Sequence, residues 1–128
     1  MNKERLLNVA KALREAPNPT AFTMATFQEC GTPACALGHY AARQDLQTAF
    51  ELGEIWGIVP RGQRDEYGNR SMTLEYAGTE VCEHFGITHV QATELFADGG
   101  EHTPVGCGNP NNAIEAAEYI ERFVAENS

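Results

Sequence analysis

The sequence contains no long apolar run, since its apolar residues occur in groups of only a few. A membrane-spanning helix needs about 20 consecutive apolar residues, so we expect a chain that folds in water and does not enter a membrane. The first residues also lack the apolar stretch of a secretory signal, because charged side chains interrupt it at Glu4, Arg5, Lys11, Arg14 and Glu15. The sequence therefore predicts a cytoplasmic location.

Short motifs that identify common enzyme classes are absent as well. No G-x-G-x-x-G follows a predicted strand, the stretch 57–62 lacks the GK[ST] ending of a phosphate-binding loop, and no H-E-x-x-H occurs. These absences leave no motif that names a reaction. They favour a non-enzymatic role.

Basic residues are almost missing from the second half of the chain. Residues 1–70 hold eight acids and eight bases, whereas residues 71–128 hold ten acids and only Arg122, so the net charge of −9 belongs to the second half. Direct binding of nucleic acid by this half is not expected, because it has almost nothing to pair with phosphates. A basic protein partner, such as a nucleic-acid-binding protein, suits it better. The alternative is that these carboxylates only keep a small domain soluble.

Helical periodicity is the main pattern that the sequence does contain. At 128 residues the chain has the size of a single domain, 1–128. Apolar residues recur at helical spacing in five segments, namely 3–15, 33–50, 74–85, 89–97 and a last segment from 110. We predict a mainly α fold, in which about five helices form a single compact bundle.

Capping signals set the predicted boundaries of these helices. Thr32–Pro33 and Asn109–Pro110 each place a capping side chain before a proline that suits the first helical position. Thr88–Gln91 has the pattern of a capping box, and Gly86 is suited to end the helix before it. Residues 53–73 are rich in glycine and form either an irregular central loop or a small β-hairpin, in which 55–59 pairs with 71–74.

Several short motifs occur in a recognisable order along the chain. They are Phe22-Thr23-Met24, then Cys30-Gly31-Thr32-Pro33-Ala34-Cys35-Ala36-Leu37-Gly38, then Gly86-Ile87-Thr88, Leu95-Phe96 and Thr103-Pro104. This order resembles a loosely defined group of short, uncharacterised bacterial and phage proteins with a Cys-Gly-Thr-x-x-Cys-x-x-Gly core. The resemblance implies no known activity. It implies a phage, prophage or bacterial accessory protein rather than a metabolic enzyme, and a phage-encoded protein would act in the host cytoplasm.

The strongest cluster of chemically active residues is Cys30, Cys35 and His39. Two thiols and an imidazole within ten positions are the ligand types that zinc prefers, and Cys35 and His39 lie one helical turn apart. A fourth ligand would come from one of four residues, His102, Cys107, Cys82 or His84. The second tight pair of a familiar zinc site is missing, so the competing interpretation is that Cys35 and Cys82 are small buried hydrophobes and Cys30 shapes a turn.

Cys35 also suggests thiol chemistry. In the first turn of a helix, the macrodipole and free N–H groups would lower its pKa and favour a thiolate, and a reversible Cys30–Cys35 disulfide is a variant of this idea.

The sequence thus leaves three functional hypotheses in order: a non-enzymatic accessory protein that binds a basic partner and needs no cofactor, a small structural zinc domain, and a thiol-dependent enzyme using Cys35. Neither the partner's identity nor the oligomeric state follows from the sequence.

Overall fold

The computed structural model of the protein describes residues 1–16, 18–20, 22, 28–29, 32–33, 35–46, 50–52, 58–60, 78–97, 105–108 and 110–127. Within them, five α-helices form the bulk of the fold: α1 (Lys3–Arg14), α2 (Ala36–Ala42), α3 (Thr79–Phe85), α4 (His89–Phe96) and α5 (Ala113–Glu126). The predicted mainly α fold of about five helices is confirmed. Among the described residues, none of these helices has the length and apolar character that crossing a membrane requires.

Helix α1 lies at the centre of the helix packing. It begins where the Asn2 side chain accepts a hydrogen bond from the Arg5 N–H at 3.1 Å, which satisfies one of the free amides of the first turn. Its predicted apolar stripe is buried, with Leu6, Val9 and Leu13 fully enclosed. Helix α1 packs most extensively on α5, and also on α2 and α3, so the first and last helices form the middle of the core.

Aromatic rings form a second part of the core. The ring of Phe85 lies 5.6 Å from that of Tyr40 and 5.5 Å from that of Phe96, measured between centroids. All three side chains are almost completely buried. These rings come from α3, α2 and α4, so this cluster joins the three short helices to one another.

Helix α2 is shorter than the prediction of 33–50. Thr32–Pro33 forms a short strand β2 that pairs antiparallel with β1 (Gln28–Glu29), and the helix begins after Cys35. Its end is fixed by Arg43, whose guanidinium lies 2.8 Å from both Glu15 and Asp45. Residues two apart do not face each other on a helix, so the Arg43–Asp45 pair requires that the chain leave α2 here. A 3-10 turn follows at Gln44–Leu46.

A small antiparallel β-hairpin forms in the central part of the chain. It consists of β3 (Phe50–Leu52) and β4 (Ile58–Pro60), with Leu52 opposite Ile58 and Phe50 opposite Pro60. The strand predicted over 55–59 therefore overlaps β4, but its partner in the described residues precedes it in the chain. The predicted partner strand, 71–74, lies outside the described residues.

Boundaries in the second half agree with the sequence at two points and differ at two. Gly86 ends α3 in the left-handed conformation, with φ of 64°, and Thr88 and Gln91 form the predicted capping box of α4. Helix α3 starts at Thr79 after an extended Gly78, rather than at 74. Helix α5 starts at Ala113 rather than 110, because Asn112 has an extended backbone and its side chain accepts from the Glu115 N–H at 2.9 Å.

Candidate functional site

A surface groove of about 550 Å³ lies between α4, the turn at 105–108 and α5. Its walls are mainly apolar and include Val90, Val105 and the ring of Tyr119. Val90 is 78% exposed although it is a large aliphatic residue. Exposed apolar surface framed by polar residues is typical of binding sites, so this groove, called the α4–α5 groove below, is the best candidate functional site among the described residues.

The tight turn at 105–108 forms one wall of the α4–α5 groove. Its central residue, Cys107, has a left-handed backbone with φ of 56°, which is uncommon for a residue with a side chain. The Cys107 thiol donates to the Leu95 carbonyl at 3.1 Å, and the Gly106 N–H donates to the Ala97 carbonyl at 2.9 Å. Both acceptors lie at the end of α4, so these two bonds hold the turn against that helix.

Tyr119 and Glu94 meet at the edge of the groove. The Tyr119 hydroxyl donates to the Glu94 carboxylate at 2.8 Å. Burial and this hydrogen bond raise the pKa of Tyr119 to about 12, so the hydroxyl stays a donor at neutral pH. The second oxygen of the Glu94 carboxylate accepts no hydrogen bond from a described residue. The groove thus carries a fixed acceptor at its rim.

A second cavity of about 390 Å³ adjoins the groove and shares Gly108 and Tyr119 with it. Glu115, Glu118 and Arg122 line this cavity from α5. Tyr119 therefore separates an apolar space from a charged one. The two spaces form a single polar-edged surface on α4 and α5.

Negative charge dominates the described surface of the second half. Residues 78–97 and 105–127, as far as they are described, carry seven acids and one base, Arg122. Six of the acids are exposed, namely Glu80, Glu83, Glu94, Glu115, Glu118 and Glu126. The seventh, Glu121, pairs with Arg14 of α1 at 2.6 Å. Glu94 lines the groove, and Glu115 and Glu118 line its neighbour together with Arg122.

The predicted zinc ligands are placed only in part. Cys35 and His39 are both buried at the start of α2, where the His39 N–H donates to the Cys35 carbonyl at 3.0 Å. The His39 ring stacks on Phe22, with ring centroids 5.9 Å apart. Cys30 lies outside the described residues. Within the described ranges, no three His, Cys, Asp or Glu side chains are grouped so that they could hold a metal, and the set Cys30, Cys35 and His39 stays a prediction.

The residues considered as a fourth zinc ligand point to three different places. Cys107 donates to Leu95, Cys82 lies 3.7 Å from the Nδ1 atom of His89, and His84 contacts Tyr40. His102 lies outside the described residues. Cys107 lies close enough to Cys35 for the charge of one thiol to act on the other, so it is the alternative that the described residues bring toward the predicted ligand Cys35.

The thiol of Cys35 differs from the expected reactive thiolate. Burial raises the pKa of Cys35 to about 11, although the backbone amides of Gly38 and Leu37 act in the opposite direction. The expectation of a lowered pKa at this position is wrong, because loss of hydration outweighs the helix start. A protonated thiol that is 3% exposed is suited to packing rather than to nucleophilic attack.

The Cys82–His89 contact was not predicted from the sequence. These residues belong to two helices, α3 and α4, that Gly86 separates by a sharp turn, and His89 also lines the α4–α5 groove. Burial raises the pKa of the Cys82 thiol, so the pair does not hold an activated thiolate. The signal that could have suggested this contact is the short spacing, since only three residues, 86–88, separate the helix that carries Cys82 from the helix that begins at His89.

Comparison with known proteins finds no match. No protein-family model, no curated protein and no solved structure is similar to the chain at a significant level. The function therefore has to follow from the chemistry of the described surface.

A buried polar network joins α1, α2 and α3 away from the groove. The Tyr40 hydroxyl lies 2.7 Å from the Nε2 atom of His84. Arg5 donates to the His84 carbonyl at 2.9 Å and lies 3.3 Å from the Nδ1 atom. A guanidinium can only donate, so Nδ1 accepts, and Nε2 of the neutral ring carries the proton toward Tyr40. Burial first, and then Arg5, lower the pKa of His84 to about 4.

This network should make the protein less stable in mild acid. An unfolded histidine takes up a proton near pH 6.5, whereas folded His84 does so only near pH 4. The stability that His84 contributes is thus complete above pH 6.5 and is lost as the pH falls toward 4. We expect a loss of about 3 kcal/mol over this window, measured by urea denaturation at several pH values. A His84→Gln variant should lose less over the same window, and equal losses in both proteins would contradict the assignment.

Proposed function

We propose that the protein is a non-enzymatic accessory protein that binds a basic protein partner through the acidic surface of α4 and α5. The observation that carries this proposal is the position of Glu94 in a mainly apolar groove, with Glu115 and Glu118 lining the cavity that adjoins it. Arg122 is the single base among the described residues of the same half. An apolar centre with a charged rim is the usual composition of a protein interface.

The negative charge of this surface favours a basic protein as the partner over a nucleic acid or a membrane. The exposed carboxylates would repel the phosphates of a nucleic acid and the anionic headgroups of a membrane. They would attract a surface rich in lysine and arginine and speed its association. Carboxylates spaced along two helices also resemble a run of phosphates, so we propose a nucleic-acid-binding protein as the partner. The resemblance to short bacterial and phage proteins also supports an accessory role rather than a metabolic one.

The arrangement of side chains offers less support for an enzyme. Cys35 and Cys107 are buried thiols whose pKa values burial raises to about 11 and about 12. Cys82 also has a raised pKa. An activated nucleophile needs the opposite shift or an adjacent base in a site that substrate can reach. The groove presents one carboxylate, from Glu94, beside two valines, the imidazole of His89 and the hydroxyls of Thr93 and Tyr119.

Capture of partners from a bacterial lysate tests the proposal. The immobilised protein, after nuclease treatment of the lysate, should retain a protein of high isoelectric point that is released at high salt. A Glu118→Lys variant should retain about threefold to tenfold less of it. Its matched control is Glu4→Lys, which makes the same change of net charge at an exposed position of α1.

Two outcomes would contradict the proposal. Capture of nothing would leave the acidic surface without a partner. Equal losses for the Glu118→Lys and Glu4→Lys variants would show that net charge alone attracts the partner, without a role for the surface of α4 and α5.

A further inference from the structure

We propose that the α4–α5 groove binds an arginine side chain of the basic partner together with an apolar residue next to it in the partner's sequence. This inference rests on the proposed function and names the part of the partner that is recognised. It assigns the carboxylate of Glu94 to the guanidinium and the aliphatic wall at Val90 and Val105 to the apolar residue.

The carboxylate of Glu94 is available to a cation. One of its oxygens accepts from Tyr119 at 2.8 Å, and within the described part of the chain no Lys, Arg or His forms an ion pair with it. Its position is fixed by the Tyr119 hydroxyl, so a partner loses little free energy in ordering it. An arginine has five donors in a planar arrangement that suits a carboxylate, whereas lysine offers a single charged point.

The walls of the groove suit the rest of an arginine side chain. Its aliphatic part can lie against Val90 and Val105, as long basic side chains commonly cover apolar surface. The face of the Tyr119 ring offers a second favourable contact for the planar guanidinium. A space of about 550 Å³ exceeds the volume of one side chain, so the adjacent apolar residue of the partner can enter with it and displace water from Val90.

Negative charge in the neighbouring cavity favours a partner that carries more than one basic residue. Glu115 and Glu118 lie on the other side of Tyr119, and Glu126 lies close enough to act on the Tyr119 hydroxyl. A second basic residue of the partner would meet these carboxylates. Arg122 also lines this cavity, and its like charge would oppose a deeply inserted cation there. We therefore place the anchoring arginine in the α4–α5 groove.

Binding of designed peptides tests the proposal. The probe is a fluorescein-labelled peptide with three Arg-Leu pairs separated by Gly-Ser, and fluorescence anisotropy gives its Kd. Two comparison peptides replace Arg-Leu with Lys-Leu or with Arg-Ser at the same charge. We expect the Arg-Leu peptide to bind most tightly. Glu94→Gln should weaken its binding by about tenfold, because the guanidinium then loses a charge-assisted hydrogen bond.

Two further variants distinguish binding at the groove from general electrostatic attraction to the acidic surface. Val90→Ser removes an exposed apolar contact without disturbing the core and should weaken the Arg-Leu peptide more than the Arg-Ser peptide. Tyr119→Phe removes the hydroxyl that fixes Glu94, so it should weaken binding of the Arg-Leu peptide, but by less than Glu94→Gln does. The matched control is Glu83→Gln, which removes one exposed charge from α3 outside the groove and should change the Kd by less than about twofold.

The outcomes distinguish this inference from the proposed function. If Glu94→Gln and Glu83→Gln weaken peptide binding equally, the groove is not the arginine site, although salt-dependent binding of basic chains still stands. Equal affinity for all three peptides would overturn the inference in the same way. If no peptide shows salt-dependent binding to the unmodified protein, both the inference and the proposed basic partner fail.

Discussion

Replacing Phe85 with alanine should lower the free energy of unfolding by about 3 to 5 kcal/mol. Phe85 is fully buried on the last turn of α3. Its ring centroid lies 5.6 Å from that of Tyr40, 4.8 Å from that of His84 and 5.5 Å from that of Phe96. Removing it would leave a cavity where α2, α3 and α4 meet, and the rings around it cannot close that space without moving their helices. Urea denaturation followed by circular dichroism measures the loss.

Two variants control for this prediction. Phe85→Leu keeps most of the buried apolar volume and should cost clearly less than Phe85→Ala. Val90→Ala changes an aliphatic residue that is 78% exposed and should alter stability by less than about 0.5 kcal/mol. A Phe85→Ala protein as stable as the Val90→Ala protein would show that the aromatic cluster does not hold these helices together.

Helices with local signals were predicted well. In α4 the capping box needs only Thr88 and Gln91, whose mutual bonds of 3.0 and 3.1 Å form within four residues. In α3 the left-handed conformation of Gly86 follows from the lack of a side chain. Both features depend on neighbours in the sequence, so a pattern of residue types is enough to reveal them.

Boundaries that depend on distant residues were predicted less well. Helix α2 ends where Arg43 pairs with Glu15, 28 positions away, and apolar periodicity carries no information about such a pair. For α5 the predicted start rests on Asn109 followed by Pro110, whereas the helix begins after Asn112. The Ala113 N–H donates to the Pro19 carbonyl at 2.9 Å, and this contact with the segment after α1 favours the later start.

The candidate site was predicted in its charge but not in its shape. The excess of carboxylates in the second half is visible by counting residues, and the structure places one of them in the groove and two in the adjoining cavity. The groove itself depends on Cys107 in a left-handed conformation against Leu95. A Gly-Cys-Gly sequence suggests a loop, but it does not say which helix the loop contacts. The bond between Tyr40 and His84 spans 44 positions and was missed for the same reason.

Replacing Gly106 with alanine should lower the free energy of unfolding by about 3 kcal/mol and weaken binding at the groove. A Cβ atom at this position would lie 2.6 Å from the Leu95 carbonyl oxygen and 2.7 Å from the Ala97 nitrogen. Both are backbone atoms at the end of α4, so no side chain can rotate away to relieve the overlap. The turn would have to leave α4 and give up the bonds from Gly106 and Cys107 to that helix.

Gly108→Ala is the matched control for Gly106→Ala, because it tests the same turn without a backbone clash. Gly108 has φ of 68°, and its added Cβ would meet the Tyr119 ring at 3.1 Å. A left-handed alanine costs about 1 to 2 kcal/mol, and the ring can shift, so a smaller loss of stability is expected. Val105 and Gly108 belong to the same turn as Gly106 and line the groove. Detachment of the turn would therefore destroy the groove wall, and a Gly106→Ala protein that binds the Arg-Leu peptide with unchanged Kd would show that the arginine site lies elsewhere.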